Sequence, residues 1–133
     1  MHRFRYSFFI CILLMLFLQS CGGGSGGSDT AGVLTLSAPT VVAGALIGDI
    51  SHVSYTVTYT PPPGKSPNGI IINTRITDGS GTVVYSYDTQ LYSNTSYVDG
   101  FDVRATANQQ LYGIHLSIGS MVAGSSVVIP KGT

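Results

Sequence analysis

The feature that most constrains the fold is a strict alternation of side chains in residues 52–60, which read HVSYTVTYT. Valine or tyrosine occupies every second position, and serine, threonine or histidine fills the positions between them. Because successive side chains of a β-strand point to opposite faces, this pattern predicts a strand with one buried face. The residues predicted on that face are Val53, Tyr55, Val57 and Tyr59.

The same period of two recurs along most of residues 33–133. The segments GIIINTRIT, TVVYSYD, FDVRATAN and YGIHLSI alternate in this way, and turns rich in glycine or proline separate several of them. In contrast, no segment has the 3.6-residue period of an amphipathic helix. The sequence therefore predicts an all-β fold, an antiparallel β-sandwich of seven to eight short strands.

Residues 33–130 resemble the bacterial immunoglobulin-like domains of surface lipoproteins and large exported adhesins. The resemblance rests on the opening SAPTVVAG, the alternating HVSYTVTYT segment, and the loop TPPPGKSPNG before an isoleucine-rich strand. It implies one immunoglobulin-like β-sandwich domain over residues 33–133. The Cys…Trp…Cys signature of antibody domains is absent, since the chain has no tryptophan. Fibronectin III-like and cadherin-like sandwiches fit the same pattern.

Near the N terminus, a short apolar block follows two basic residues. Arg3 and Arg5 precede FFICILLMLFL, residues 8–18, which is the layout of a secretory signal peptide. A membrane-spanning helix needs about 20 apolar residues, so this block is too short to be one. We predict that residues 1–20 form a signal peptide that is removed on export.

The apolar block ends in Leu18-Gln19-Ser20-Cys21, which resembles the lipobox of bacterial lipoproteins. The resemblance implies cleavage before Cys21, a thioether-linked lipid on its sulfur and acylation of the new amino terminus. Residues 22–32, GGGSGGSDTAG, have the composition of a flexible linker. Residues 21–32 would thus connect a membrane anchor to the folded domain.

The anchor implies a location in the cell envelope. Gly22 is not the aspartate that retains lipoproteins in the inner membrane in enteric-type sorting, so the outer membrane is favoured in a Gram-negative host. The alternative interpretation of this region is an ordinary signal peptide with an unrelated cysteine near its end.

The charge and composition of the predicted mature chain argue against several classes of function. Four basic residues remain against six aspartates, a net charge near −2 (4 − 6), so no basic patch for nucleic acid is expected. Since Cys21 would be the one cysteine left, neither a disulfide nor a cysteine-based zinc site is predicted. Glutamate is absent, and no catalytic serine motif occurs. The sequence predicts no enzymatic activity and no cofactor.

Candidate binding residues cluster in the segment LYSNTSYVDG, residues 91–100. Its composition is typical of a connection, and Tyr92 and Tyr97 are predicted to face outward, where aromatic rings can contact a ligand or partner. Most other tyrosines share faces with aliphatic residues and are predicted to line the core or its rim. Asp99 and Asp102, three residues apart across a predicted bend, are candidates for a cation site, because calcium is bound by carboxylate oxygens.

The predicted function is that of a membrane-anchored surface or periplasmic lipoprotein with a non-enzymatic binding, adhesive or envelope-structural module. The alternative is a small glycan-binding module that uses exposed tyrosines. The expected partners are the membrane, through the lipid anchor, and an envelope protein or a glycan. Loops at the end of the sandwich remote from Val33 would face away from the membrane.

Overall fold

A computed structural model describes residues 31–133 of the chain. Within this range the protein is all-β and contains eight strands. They are β1 (Val33–Leu36), β2 (Thr40–Val42), β3 (Ile50–Thr60), β4 (Ile71–Asp78), β5 (Val83–Gln90), β6 (Ser96–Arg104), β7 (Gln110–Ile118) and β8 (Met121–Ile129). No helix in this range is long and apolar enough to cross a membrane. The predicted signal peptide, Cys21 and most of the linker lie outside it.

The strands form two four-stranded sheets, and every pair of neighbouring strands is antiparallel. In the first sheet, β6 pairs with one side of β3, while β1 and β2 pair with different parts of its other side. In the second sheet the order is β5-β4-β7-β8. This architecture confirms the predicted β-sandwich.

The core lies between the sheets and follows the predicted alternation closely. On β3 the four residues predicted to be buried are all buried. Ile72, Thr74 and Ile76 of β4 are fully buried, as are Ile114 and Leu116 of β7. The inward faces of β3, β4 and β7 were therefore predicted correctly, because the period of two assigns each side chain to a face once the strand is identified.

Strand β6 differs from its prediction. The segment 91–100 was predicted to be a connection, but only residues 91–95 connect β5 to β6, and Ser96 already pairs with Thr58 of β3. The predicted bend at Asp99–Asp102 is likewise absent, because these residues lie inside the strand. Serine, asparagine and glycine predict loops by local propensity, and here the long pairing with β3 overrides that preference.

Gly100 explains why a glycine stands inside β6. It does not have a positive φ, so it does not serve a turn. A Cβ atom at this position would collide with the carbonyl oxygen of Val53 on β3. The glycine therefore allows the two backbones to approach closely, a common role of glycine within strands.

The connections divide between the two ends of the sandwich. Val33 at the start of β1 pairs with Thr60 at the end of β3, so the connections 61–70 and 91–95 lie at the end where β1 begins, which we call the proximal end. Backbone hydrogen bonds join these two connections, from Leu91 N to Ile70 O at 2.8 Å and from Gly69 N to Leu91 O at 2.9 Å. The connections 43–49, 79–82 and 105–109 lie at the opposite, distal end, where Gly48 N donates to Ala105 O at 2.8 Å.

Candidate functional site

A cleft separates the edges of the two sheets where β5 faces β6. These strands belong to different sheets and share no backbone pairing, so the contacts between them are made by side chains. The cleft has a volume of about 560 Å³, and its walls include Tyr85 and Tyr87 from β5, Asp99 and Phe101 from β6, and His52 from β3. It brings together aromatic, acidic and imidazole groups from both sheets.

Two tyrosines of β5 connect the sheets across this cleft. The hydroxyl of Tyr85 donates a hydrogen bond to the backbone carbonyl of Asp102 at 3.1 Å. The hydroxyl of Tyr87 donates to Oδ2 of Asp99 at 2.9 Å. The ring of Tyr85 also packs against Phe101, with centroids 6.1 Å apart. Side-chain contacts thus replace the backbone ladder that the two edge strands lack.

The hydrogen bond between Tyr87 and Asp99 continues into the core. Since Tyr87 donates its proton to Asp99, its oxygen accepts one from Tyr55, whose hydroxyl lies 3.3 Å away. The pKa of Tyr87 is raised to about 12, chiefly by burial; the hydrogen bond from Tyr55 lowers it, and the hydrogen bond to Asp99 and the charge of that carboxylate raise it. Burial also raises the pKa of Tyr55, with smaller contributions from Tyr87 and Asp99. Both phenols are therefore neutral at physiological pH.

Tyr97 does not face outward as predicted. It is half-buried and packs against the core, because it lies on the inward face of β6 together with Asp99. Its hydroxyl and that of Thr74 are buried and have no hydrogen-bond partner within residues 31–133. Burial raises the pKa of Tyr97.

Tyr92 is the one of the two predicted aromatics that faces solvent. It lies in the 91–95 connection at the proximal end, and 68% of its surface is exposed. Tyr92 and Tyr97 therefore do not form a joint aromatic surface, since one ring is outside the sandwich and the other contacts its core. Whether either ring contacts a ligand stays a prediction.

Asp99 and Asp102 point to opposite faces of β6, as the period of two requires for residues three apart. Asp99 turns toward Tyr87 between the sheets, whereas Oδ1 of Asp102 lies 2.6 Å from Nδ1 of His52 on the outer face. Within residues 31–133, no three histidine, cysteine, aspartate or glutamate side chains are arranged to hold a metal ion. The cation role of the two aspartates stays a prediction, and each carboxylate has a protein partner.

Sequence reasoning did not identify the cleft as a site. Tyr85 and Tyr87 were assigned to the core or its rim, and Tyr85 is in fact 44% exposed. The pairing of His52 with Asp102 follows from the β3–β6 register, in which the two residues are direct partners. That register depends on recognising β6 as a strand, so no signal in the sequence alone would have revealed the pair.

Comparisons with known proteins identify no family. No family model and no curated protein matches the sequence. Among solved structures, β-glucuronidase from Bifidobacterium dentium complexed with coumarin-3-O-glucuronide has a TM-score of 0.45 and 14% identity. The match covers 74% of this chain and 18% of the glucuronidase chain, so this chain spans less than a fifth of that protein.

A conjugative transposon lipoprotein from Bacteroides eggerthii DSM 20697 has a TM-score of 0.44 and 10% identity, and the match covers 74% of this chain and 97% of that one. At these identities and TM-scores, the two likenesses identify neither a ligand nor an activity of this chain.

The buried tyrosines predict a loss of stability in alkali. Because the folded-state pKa of Tyr87 is about 12, above the usual value of 10.0, the folded protein holds this proton more tightly than the unfolded chain. Its contribution to the free energy of unfolding is fully present below pH 10 and is lost as the pH rises toward 12. Urea unfolding from pH 8 to 12 should show this fall, and Tyr87→Phe should make it less steep.

Tyr92→Phe is the matched control for this experiment, since it removes an exposed phenol outside the network, and its profile should parallel that of the wild type. If the free energy of unfolding falls equally steeply with pH in Tyr87→Phe and in the wild type, the assigned role of Tyr87 is contradicted.

Proposed function

We propose that this chain is a lipid-anchored, non-enzymatic lipoprotein of the cell envelope, whose β-sandwich serves as a binding, adhesive or structural module. The observation that carries the proposal is the sequence Leu18-Gln19-Ser20-Cys21 at the end of an apolar block. The glycine-rich segment 22–32 follows it directly, and β1 begins at Val33. An anchor, a linker and a folded domain therefore succeed one another along the chain.

The strand order supports the immunoglobulin-like part of the proposal. If β1 and β2 together are the A strand of such a domain, the first sheet contains strands A, B and E. The second sheet, β5-β4-β7-β8, then corresponds to C′, C, F and G, the neighbours that these strands have in variable-type immunoglobulin domains. The split of the first strand falls near Pro39, which has no N–H to donate to a ladder.

The placement of the connections bears on which surface would meet a partner. If the anchor precedes Val33, the proximal connections 61–70 and 91–95 lie on the side from which the linker leaves the domain. The distal connections 43–49, 79–82 and 105–109 then point away from the lipid. This arrangement favours the side faces and distal end of the sandwich as partner surfaces over the Tyr92 connection.

The anchor is tested by Cys21→Ser. Loss of the thiol should abolish incorporation of radioactive palmitate and should leave either an uncleaved precursor or released soluble protein. Cys11→Ser is the matched control, because Cys11 lies within the predicted signal peptide, and labelling should continue. Equal labelling of Cys21→Ser and the wild type would contradict the lipoprotein assignment.

A second candidate function, glycan binding, is favoured by the exposed ring of Tyr92. Aromatic faces stack on sugars, so Tyr92→Ala should reduce capture on a glycan array, whereas Tyr92→Phe, which keeps the ring, should retain it. Tyr97→Phe removes only a buried hydroxyl and serves as the control for the second predicted tyrosine. Capture by Tyr92→Ala at the wild-type level, or no capture by the wild type, would count against this function.

A further inference from the structure

A second concave surface lies on the outer face of the second sheet, away from the β5–β6 cleft. It is a groove of about 590 Å³ that crosses β4, β7 and β8, and its lining includes His115 and Gly124. Gly124 pairs directly with His115 across the β7–β8 ladder, and Gly113 lies two residues before His115 on the same face. Since Gly124 lacks a side chain, the groove is open where Gly124 lies beside His115.

Local packing prevents a side chain from filling the space at Gly113. A Cβ atom there would lie 2.7 Å from Oγ1 of Thr77 and 2.9 Å from Nε2 of His115. These two atoms are hydrogen-bonded to each other at 3.2 Å, which fixes the imidazole ring in the groove. The other ring nitrogen, Nδ1, faces Gly124, where a Cβ would lie 3.9 Å away. This nitrogen therefore lies near a position that carries no side chain.

Arg75 stands beside this open space. It is the direct partner of His115 in the β4–β7 register, it is exposed, and within residues 31–133 its guanidinium forms no salt bridge. Asn73 and Ser117 form another pair in the same ladder and also line the groove. Arginine, histidine, asparagine and serine side chains all donate hydrogen bonds.

The groove lining contains no carboxylate. The nearby carboxylate of Asp88 on β5 accepts a hydrogen bond of 2.8 Å from the side chain of Asn73. Among the residues that line the groove, Arg75 carries the only permanent charge, and its guanidinium is complementary to an anion.

We propose that this groove binds an oxyanion, the carboxylate or phosphate group of a ligand, between Arg75 and His115. The planar guanidinium offers two parallel N–H donors to such a group. When Thr77 donates to Nε2 of His115, the ring proton resides on Nδ1, which donates a further hydrogen bond from the other side. The proposal goes beyond the lipid-anchored function and does not require it, because no groove residue belongs to the anchor.

The test is a titration of the full-length chain in detergent with sodium acetate and, separately, with inorganic phosphate, at constant ionic strength. The ring signals of His115 are followed by NMR, and those of His52, on the outer face of the first sheet, provide an internal reference. The His115 signals should shift in a saturable manner, and the His52 signals should not. Arg75→Gln should weaken binding roughly fivefold to tenfold, since it removes a charge-assisted hydrogen bond.

Lys65→Gln is the matched control, because it removes an equal charge from the 61–70 connection, and its affinity should equal that of the wild type. Tighter binding of acetate identifies the ligand group as a carboxylate, and tighter binding of phosphate identifies it as a phosphate. Equal shifts of His52 and His115, no saturable shift with either anion, or unchanged affinity in Arg75→Gln would overturn the proposal.

Discussion

The first sheet depends on one strand, β3, because β1, β2 and β6 all pair with it and with no other strand of that sheet. Its inward side chains Val53, Tyr55, Val57 and Tyr59 are 0 to 5% exposed, and serine or threonine occupies the positions between them. A slip of one residue would exchange these two sets, so the hydrophobic pattern fixes the register of the strand. Its neighbours align on this register, which places Asp99 opposite Tyr55 and Asp102 opposite His52.

The two sheets contact each other in a different way at the side where the edge strands β5 and β6 meet. Between β5 and β6, tyrosine hydroxyls bridge the sheets in place of backbone hydrogen bonds. These hydroxyls lie at the border of the core, where Tyr55, Tyr87 and Asp99 are hydrogen-bonded to one another. The hydroxyls of Thr74 and Tyr97 have no partner within residues 31–133.

The sequence predicts the parts of the fold and of the candidate sites that a local pattern determines. It does not predict the parts that depend on contacts between distant residues. The alternation in β3, β4 and β7 assigned the buried faces correctly, because a period of two is a local property. It failed in residues 96–100, where serine, aspartate and glycine suggest a loop and only pairing with β3 makes a strand. The β5–β6 cleft and the Arg75–His115 groove both depend on strand order or register, which no local pattern supplies. The lipidation of Cys21 rests on its motif, which lies outside the residues that the structure describes.

The central claim, that the alternation in β3 fixes the fold, is tested most directly by chemical unfolding of two neighbouring variants. Val57→Asp places a charge at a fully buried position, and it should cost several kcal/mol or unfold the domain, since a buried unpaired carboxylate is strongly unfavourable. Thr58→Asp, on the outer face, should cost less than about 1 kcal/mol. Equal losses of stability in the two variants, or a larger loss in Thr58→Asp, would contradict the account.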